Sequence, residues 1–587
     1  MRADARRTRR GGVQGPALRA VLAAVLAGVL AALVLAGCVR LPDSGDVTVP
    51  DDVPDGVGDA GVDYVPPGPT PGETPDEIVQ HFLGAMRATS LQTSVARSFL
   101  TDATADAWSP EQRTIVYEDA SRPTSGTTVS VDLQGSASLD DRGQWVGEPS
   151  GADRTITFGM TQEDGEWRIA TLPNALIVPL TWLEARYQRA DLYFLDPSSR
   201  ILVPTPVFVP SGEQLASRLV DALLEGPPDS LTGVVTTALG GTGPGTTVEV
   251  SSSGLASIRT TGADGAPEAL TEPMVAQLAW TLRQVPSVVR IRVLVDDVAL
   301  RVPDGGTDFA VGAGQRYTPD VAGADAALYG VEGDQVVEVD GAATTPVAGT
   351  EELLGAGVQR IAVDLFGTRV AAQVADGSVV VLPLDDPAAP TTRIPAEGTA
   401  RLSWDFAGRL WIVDGGERAR LRVVSSGTVT PLDAPDLSGQ RVTSMTVSHD
   451  GSRLVAVVGL PGTQRVVVSR VRYDERGGVA DVVEPAQDLA VDAAGLAVLD
   501  VGWRSATEVV VLARIDDTLV QVQRVPVDGS PGDGDGTTLL MSDADRLVTS
   551  TSPGTPLLLV GPLLVEEYDG SRLVASEASA AGLTYPG

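Results

Sequence analysis

The pattern of apolar and polar positions changes character several times along the 587 residues. Residues 20–35 are uniformly small or apolar, a run shorter than the roughly 20 residues that a spanning helix needs. Between 39 and 73 there is no hydrophobic period. Pro, Gly and Asp dominate there, and the composition predicts an extended, unpacked tether. Helical spacing begins with Ile78, Val79, Phe82, Leu83 and Met86. Thr74, Pro75 and Glu77 stand before it as N-cap, first-turn proline and capping-box acid. Alternation then takes over in "TTVSVDLQGSASL" and "DRTITFGMTQEDGEWRIATLP", the second a hairpin turning at Glu163-Asp164-Gly165. Helices followed by a curled antiparallel sheet predict an α+β domain over 74–190.

The next block, 191–305, reads as α/β. "DLYFLDPSSRILVPTPVFV" is strand, turn, strand. A helix follows, opened by a Ser211…Gln214 capping box, with Leu215, Leu219, Val220, Leu223 and Leu224 on one face and a stop at Gly226-Pro227. A hairpin turns over Ser252-Ser253-Gly254. A second helix ends at Pro286 and leads into a strand alternating Val289, Ile291, Val293 and Val295. From 318 to 587 the chain repeats a strand, a tight turn and a strand: "RIAVDLFGTRVAAQV", "RLSWDFAGRLWIVDGG", "SMTVSHDGSRLVAVVG". The turn glycines Gly367, Gly408 and Gly451 lie 41 and 43 residues apart. That is the period of a four-stranded propeller blade and predicts an all-β propeller of about six blades.

Composition narrows the function classes. The formal net charge is −34 and every basic side chain is arginine. So acidic a chain offers no basic footprint to a phosphate backbone, and nucleic-acid binding is not expected. A single cysteine excludes an intramolecular disulfide and a multi-cysteine zinc site. The two histidines, His81 and His449, fall in separate predicted domains, a poor basis for a catalytic triad or a metal site. His81 reads as a helix-surface or packed residue. His449-Asp450, in "SHDG", reads as a local turn stabiliser. "SWDFAGRLW" nearly matches the Asp-box of sialidase-type propellers with one residue too many, and that box is a structural hairpin. No cofactor, metal ligand set or catalytic residue is assigned.

The lone cysteine sits at the end of the apolar run. Residues 2–19 carry six arginines against Asp4, the apolar segment follows, and then Leu35-Ala36-Gly37-Cys38. A basic n-region and an apolar h-region are the layout of a secretory signal. The tetrapeptide resembles the bacterial lipobox. That resemblance implies cleavage between Gly37 and Cys38, lipidation of the Cys38 thiol, and a membrane anchor made of two or three acyl chains. Losing residues 1–37 would remove six arginines and one aspartate, taking the formal charge from −34 to −39.

Two further resemblances concern the body of the chain. "GEWRIA" resembles the closing hairpin of cone-shaped NTF2-like α+β domains. "RLVDALLEGP", the hairpin after "PGTTVEV" and "AQLAWTLRQVPSVVRIRVLVD" resemble the GerMN domain over 191–305, although "SIRTTG" lacks an Asp-Leu pair common there. Lipobox, "LPDSGDV", α+β domain, GerMN block and propeller, in that order, resemble the LpqB family of actinobacterial lipoproteins. The resemblance implies a non-enzymatic protein anchored on the outer face of the plasma membrane. It also implies a role as accessory to the MtrA/MtrB two-component system, through the extracellular domain of the sensor kinase MtrB, affecting envelope homeostasis and division. An envelope-assembly or wall-binding lipoprotein independent of the kinase is the alternative.

Overall fold

The computed structural model describes residues 66–587 apart from 89–92, 148–153, 241–245, 262–267, 387–388, 399, 416–417, 475, 484–485, 492–494, 533–535, 553 and 571. The first domain opens with the helix Pro75–Ala85. The Glu77 carboxylate accepts the Thr74 N–H at 2.8 Å, which satisfies one of the orphan donors of the first turn. Ile78, Val79, Phe82 and Ala85 are buried. The Phe82 ring meets Trp108 and Phe158 at 5.6 and 6.0 Å between centroids, so the helix is fixed to the sheet through an aromatic cluster. The hairpin Thr155–Glu163/Glu166–Thr171 turns on Asp164 and Gly165, both at positive φ (54° and 83°), the backbone of a type I′ turn.

Two expectations are corrected here. The domain holds two four-stranded sheets, and one contains a parallel pair, Thr114–Tyr117 beside Leu176–Pro179. The sheet is therefore not wholly antiparallel. Both paired strands are short and nearly fully buried, so their apolar runs show no alternation that would give direction. Helix Leu215–Leu224 has Gln214 as its N-cap and no capping bond from Ser211. The Ser211 N–H is tied to the Arg186 carbonyl, and a turn from Gly212 to Leu215 intervenes before the helix starts.

The middle domain is built on a long hairpin, Tyr187–Leu195 against Leu202–Pro210. It continues with a βαβ unit, in which helix Glu272–Leu282 carries the chain from Leu255–Thr260 to the parallel strand Arg290–Val295. Leu215, Ala216, Leu219, Val220 and Leu223 form the buried face of the first helix, with Leu224 half-exposed at its edge. Val289 is exposed, so the buried alternation of the last strand starts at Ile291.

Six blades make the propeller among the described residues. Their innermost strands are Ala581–Thr584, Arg360–Val363, Arg401–Trp404, Val442–Val447, Ala497–Ser505 and Arg546–Val548. The first blade combines Ala581–Thr584 with three strands from the start of the propeller, Leu328–Glu332, Gln335–Asp340 and Ala343–Pro346. The two ends of the propeller therefore share one sheet, which closes the ring. The repeated Asp and Arg of each strand–turn–strand unit explain the regularity. Asp405 accepts Arg409 Nε at 2.7 Å and Trp411 Nε1 at 2.9 Å. Arg409 in turn lies over the Tyr473 ring of the next blade. Asp364 and Arg369 repeat the arrangement, with Arg369 over Trp404. These two units thus staple their own turns and their neighbours at once, and the Asp405 motif is the structural hairpin that the sequence implied.

Candidate functional site at the junction of three domains

A cleft of about 900 Å3 opens where the three domains meet. Its walls come from segments far apart in the chain: Gln144, Trp145 and Val146 of the first domain, Thr205 and Pro206 of the middle hairpin, and Arg470 with Asp528 of the propeller. Local structure explains how these come together. The turn after Asp140 is closed by its own carboxylate, which accepts the Gln144 N–H at 2.8 Å. Gly143 then receives the backbone of the middle domain, with Phe208 N–H donating to the Gly143 carbonyl at 2.8 Å. A Cβ at Gly143 would stand 2.4 Å from the Phe208 oxygen, and its φ is +77°, so only glycine fits there. Trp145 packs on the Phe208 ring at 5.7 Å, and Arg142 donates to the Gly226 carbonyl.

The seam between middle domain and propeller uses the same logic. Tyr473 N–H donates to the Gly233 carbonyl at 2.8 Å, and a Cβ on Gly233 would lie 2.7 Å from Arg472 Cγ. Arg453 is the counterpart of Arg369 and Arg409 in the repeat, but its guanidinium leaves the ring to donate to the Pro204 carbonyl at 2.7 Å. Arg189 faces Asp528 at 3.4 Å. The hairpin tip 196–201 rests on the propeller face where the innermost strands end. There Ile201 packs against Leu365 and Val321, and Arg200 lies over the Phe406 ring.

The electrostatics of the cleft are mixed. Burial, and then the neighbouring Arg453, pull the Arg470 guanidinium below its ordinary range, while Asp140 opposes. Burial pushes the Asp140 carboxyl up against the backbone N–H groups it accepts. Thr205 Oγ1 is buried with no hydrogen-bond partner among the described residues. The cleft thus sets charged side chains, Glu118, Asp140, Asp488 and Asp528 with Arg453 and Arg470, among apolar ones such as Trp145, Val146 and Leu489.

Profiles of the LpqB N-terminal domain, of the Germane domain of sporulation and spore germination, and of the LpqB β-propeller domain match residues 68–184, 191–301 and 334–548. Lipoprotein LpqB of Thermobifida fusca is 29% identical, over 90% of this chain and 92% of that one. Lipoprotein LpqB of Mycobacterium leprae is 27% identical, over 94% and 96%. The chain belongs to the LpqB lipoprotein family. Among solved structures, TolB from Acinetobacter baumannii covers 46% of this chain and 69% of its own, at 13% identity and a TM-score of 0.31.

In this LpqB-family chain, Gly37 and Cys38 lie outside the described residues. No described helix is long and apolar enough to cross a membrane. His81 is half-exposed on the first helix, with Nδ1 2.9 Å from Glu73 Oε1. His449 and Asp450 do not act as a dyad. His449 Nδ1 meets Thr551 Oγ1 at 3.0 Å, whereas Asp450 accepts from Ser448 Oγ and the Ser452 N–H inside its own turn. Among the described residues no cluster of His, Cys, Asp and Glu is arranged to hold a metal ion.

Sequence reasoning missed every seam residue. One signal was present: Arg369, Arg409 and Arg453 recur at the same place in successive repeats. The blade after the third also carries a tryptophan, Trp503, on its innermost strand, so nothing in the sequence marks Arg453 as the arginine that turns to the middle domain.

Proposed function

We propose that this LpqB-family lipoprotein is a non-enzymatic accessory of a membrane sensor kinase, the MtrB component of an MtrA/MtrB system. In this reading it is held on the outer face of the plasma membrane by lipid on Cys38. The observation that carries the reading is the junction itself: three domains are fastened by specific backbone and arginine contacts around one wide, mostly apolar cleft. A tethered body confined near the membrane raises its effective concentration at a membrane partner, so the docking contact can be weak and still be occupied. Val146, 59% exposed on the cleft wall and backed by the buried Trp145, supplies an apolar contact point for a partner. The influence on envelope homeostasis and division follows from the partner.

The test is a cross-linking pull-down from actinobacterial membranes with three forms: wild type, Cys38→Ala and Val146→Asp. The reading expects the sensor kinase with wild type, less of it with Cys38→Ala because the protein leaves the membrane, and less with Val146→Asp although that protein stays anchored. Recovery of wall fragments without kinase from wild type would favour the envelope-assembly reading instead.

A further inference from the structure

The propeller has a second feature on the face opposite the middle domain, where its innermost strands begin. Three of those strands start with an arginine: Arg360, Arg401 and Arg546. All three line the central channel, a cavity of about 130 Å3 that also reaches His449, and all three line the wider funnel of about 810 Å3 outside it. The channel is therefore narrow enough for a few waters or one small oxyanion, and the funnel takes something larger.

Partners for these guanidinium groups are unevenly shared. Arg401 Nε donates to the Thr443 carbonyl. Among the described residues Arg360 and Arg546 form no hydrogen bond or ion pair, and Arg360 Nε is buried without an acceptor. Asp500 is the carboxylate among them, and its oxygens are already engaged by Ser444 Oγ and by the N–H groups of Val501 and Leu547. The other acids at this mouth, Asp545 and Glu577, stand on the outer funnel. Burial, and then Arg401, lower the Arg360 guanidinium to about 10, with Asp500 opposing and Arg546 adding to the fall. All three arginines remain charged at neutral pH. A chain of net charge −34 thus keeps three cations in one pocket, two of which, Arg360 and Arg546, have no hydrogen bond or ion pair among the described residues. Folding alone gains nothing from such mutual repulsion.

We propose that this arginine mouth binds a phosphoryl group, with the phosphate at Arg360, Arg401 and Arg546 and the organic part of its ester in the funnel beside Leu563 and Leu564. Where the channel opens, three guanidinium groups face one carboxylate, Asp500, while Asp545 and Glu577 stand farther out on the funnel, so the positive charge is concentrated at the position given to the phosphate. Guanidinium forks match phosphate oxygens in geometry. Leu563 and Leu564 are 87% and 57% exposed on the funnel rim, apolar surface suited to the carbon part of the ligand. This site is separate from the cleft of the proposed kinase contact, which lies against other residues.

The test titrates the full-length lipoprotein in neutral detergent with two probes by calorimetry, inorganic phosphate and a short-chain phosphatidic acid below its micelle concentration. Arg360→Gln/Arg546→Gln is the site variant and Arg572→Gln, an exposed arginine elsewhere, is the control. Binding of phosphate or phosphatidic acid to wild type and control, weakened about tenfold or more in the site variant, supports the proposal. Equal affinities for the two probes mean that the phosphoryl group alone is read, and tighter binding of the lipid means a lipid source. The site variant also melts at or above the wild-type temperature without phosphate, because like charges have been removed, so lost binding is not lost folding. No binding of either probe to wild type, or binding unchanged in the site variant, overturns it.

Discussion

At the residue scale, buried polar groups decide how this protein responds to conditions. His449 follows the innermost strand Val442–Val447 and lines, near Gly587, the same central channel as Arg360, Arg401 and Arg546. Burial holds it down at about 4, with Asp450 opposing weakly. Its unfolded value is about 6.5, so between those two pH values the unfolded chain binds a proton that the folded protein does not. His449 therefore stabilises the fold fully above pH 6.5, and that stability is lost as pH falls toward 4. The ring is partly reachable from the channel, which sets the loss at about 1–3 kcal/mol rather than the full value of the shift. His449→Gln keeps a polar group near Thr551 but cannot take up the proton. The expected result is a smaller fall in the propeller's thermal midpoint between pH 7 and pH 4.5 than in wild type, read by calorimetry. An equal fall in both proteins would place the acid sensitivity elsewhere. The turn role of Asp450 was legible from "SHDG", because side-chain-to-backbone bonds are local. The neutrality of His449 was not, because it depends on blades that the chain reaches a hundred residues later.

At the scale of elements, the visible and the hidden parts divide along the same line. The blade period could be read because each blade is one local unit with its own turn. Closure could not, because Ala581–Thr584 is a short strand from "AAGLTYPG", with little alternation, and its partner strand lies some 250 residues earlier. Its contribution rests on Leu583, 3% exposed in a core with Val337, Val339, Val548, Leu558 and Tyr585. That core joins the sixth blade to the first, so it is the seam that keeps the ring from opening. Leu583→Ala removes buried methyl groups and leaves a cavity, a loss of about 2–4 kcal/mol. Urea unfolding of the propeller should shift to lower midpoint by that amount. Leu583→Asp should expose the unpaired edge of Leu328–Glu332 and produce concentration-dependent association, visible in sedimentation. A ring that tolerates both changes would not depend on this seam. The parallel pair in the first domain was hidden for a related reason: buried strands of four residues lack the alternation that would set their neighbours.

At the scale of the whole molecule, the question is whether the three domains move as one body. Inter-domain contacts within one chain are ordinarily small and polar, and relative motion is the usual expectation. Here the seam between middle domain and propeller has features that argue otherwise. It contains a backbone bond from Tyr473 to Gly233 at a position where only glycine fits, a buried arginine at Pro204, and an apolar plug of Ile201 against Leu365 and Val321. Arg453 is buried at this seam and donates across it to Pro204, so its bond, the Tyr473–Gly233 bond and the apolar plug must all be given up together when the domains part. Their sum is expected to make the two domains unfold together. Arg453→Ala combined with Ile201→Asp removes that coupling while leaving the cores of both domains intact. In wild type, calorimetry should show the middle domain and propeller unfolding in one transition. The double variant should show two, the propeller keeping its own midpoint, and small-angle scattering should give a larger radius of gyration. The cleft is made by this coupling, since Thr205 and Pro206 form its wall only while the middle hairpin is seated on the blades. The same variant should therefore also lose cross-linking to the kinase, although Trp145 and Val146 are untouched. If the double variant scatters like wild type and melts in one step, the domains are held by something other than this seam.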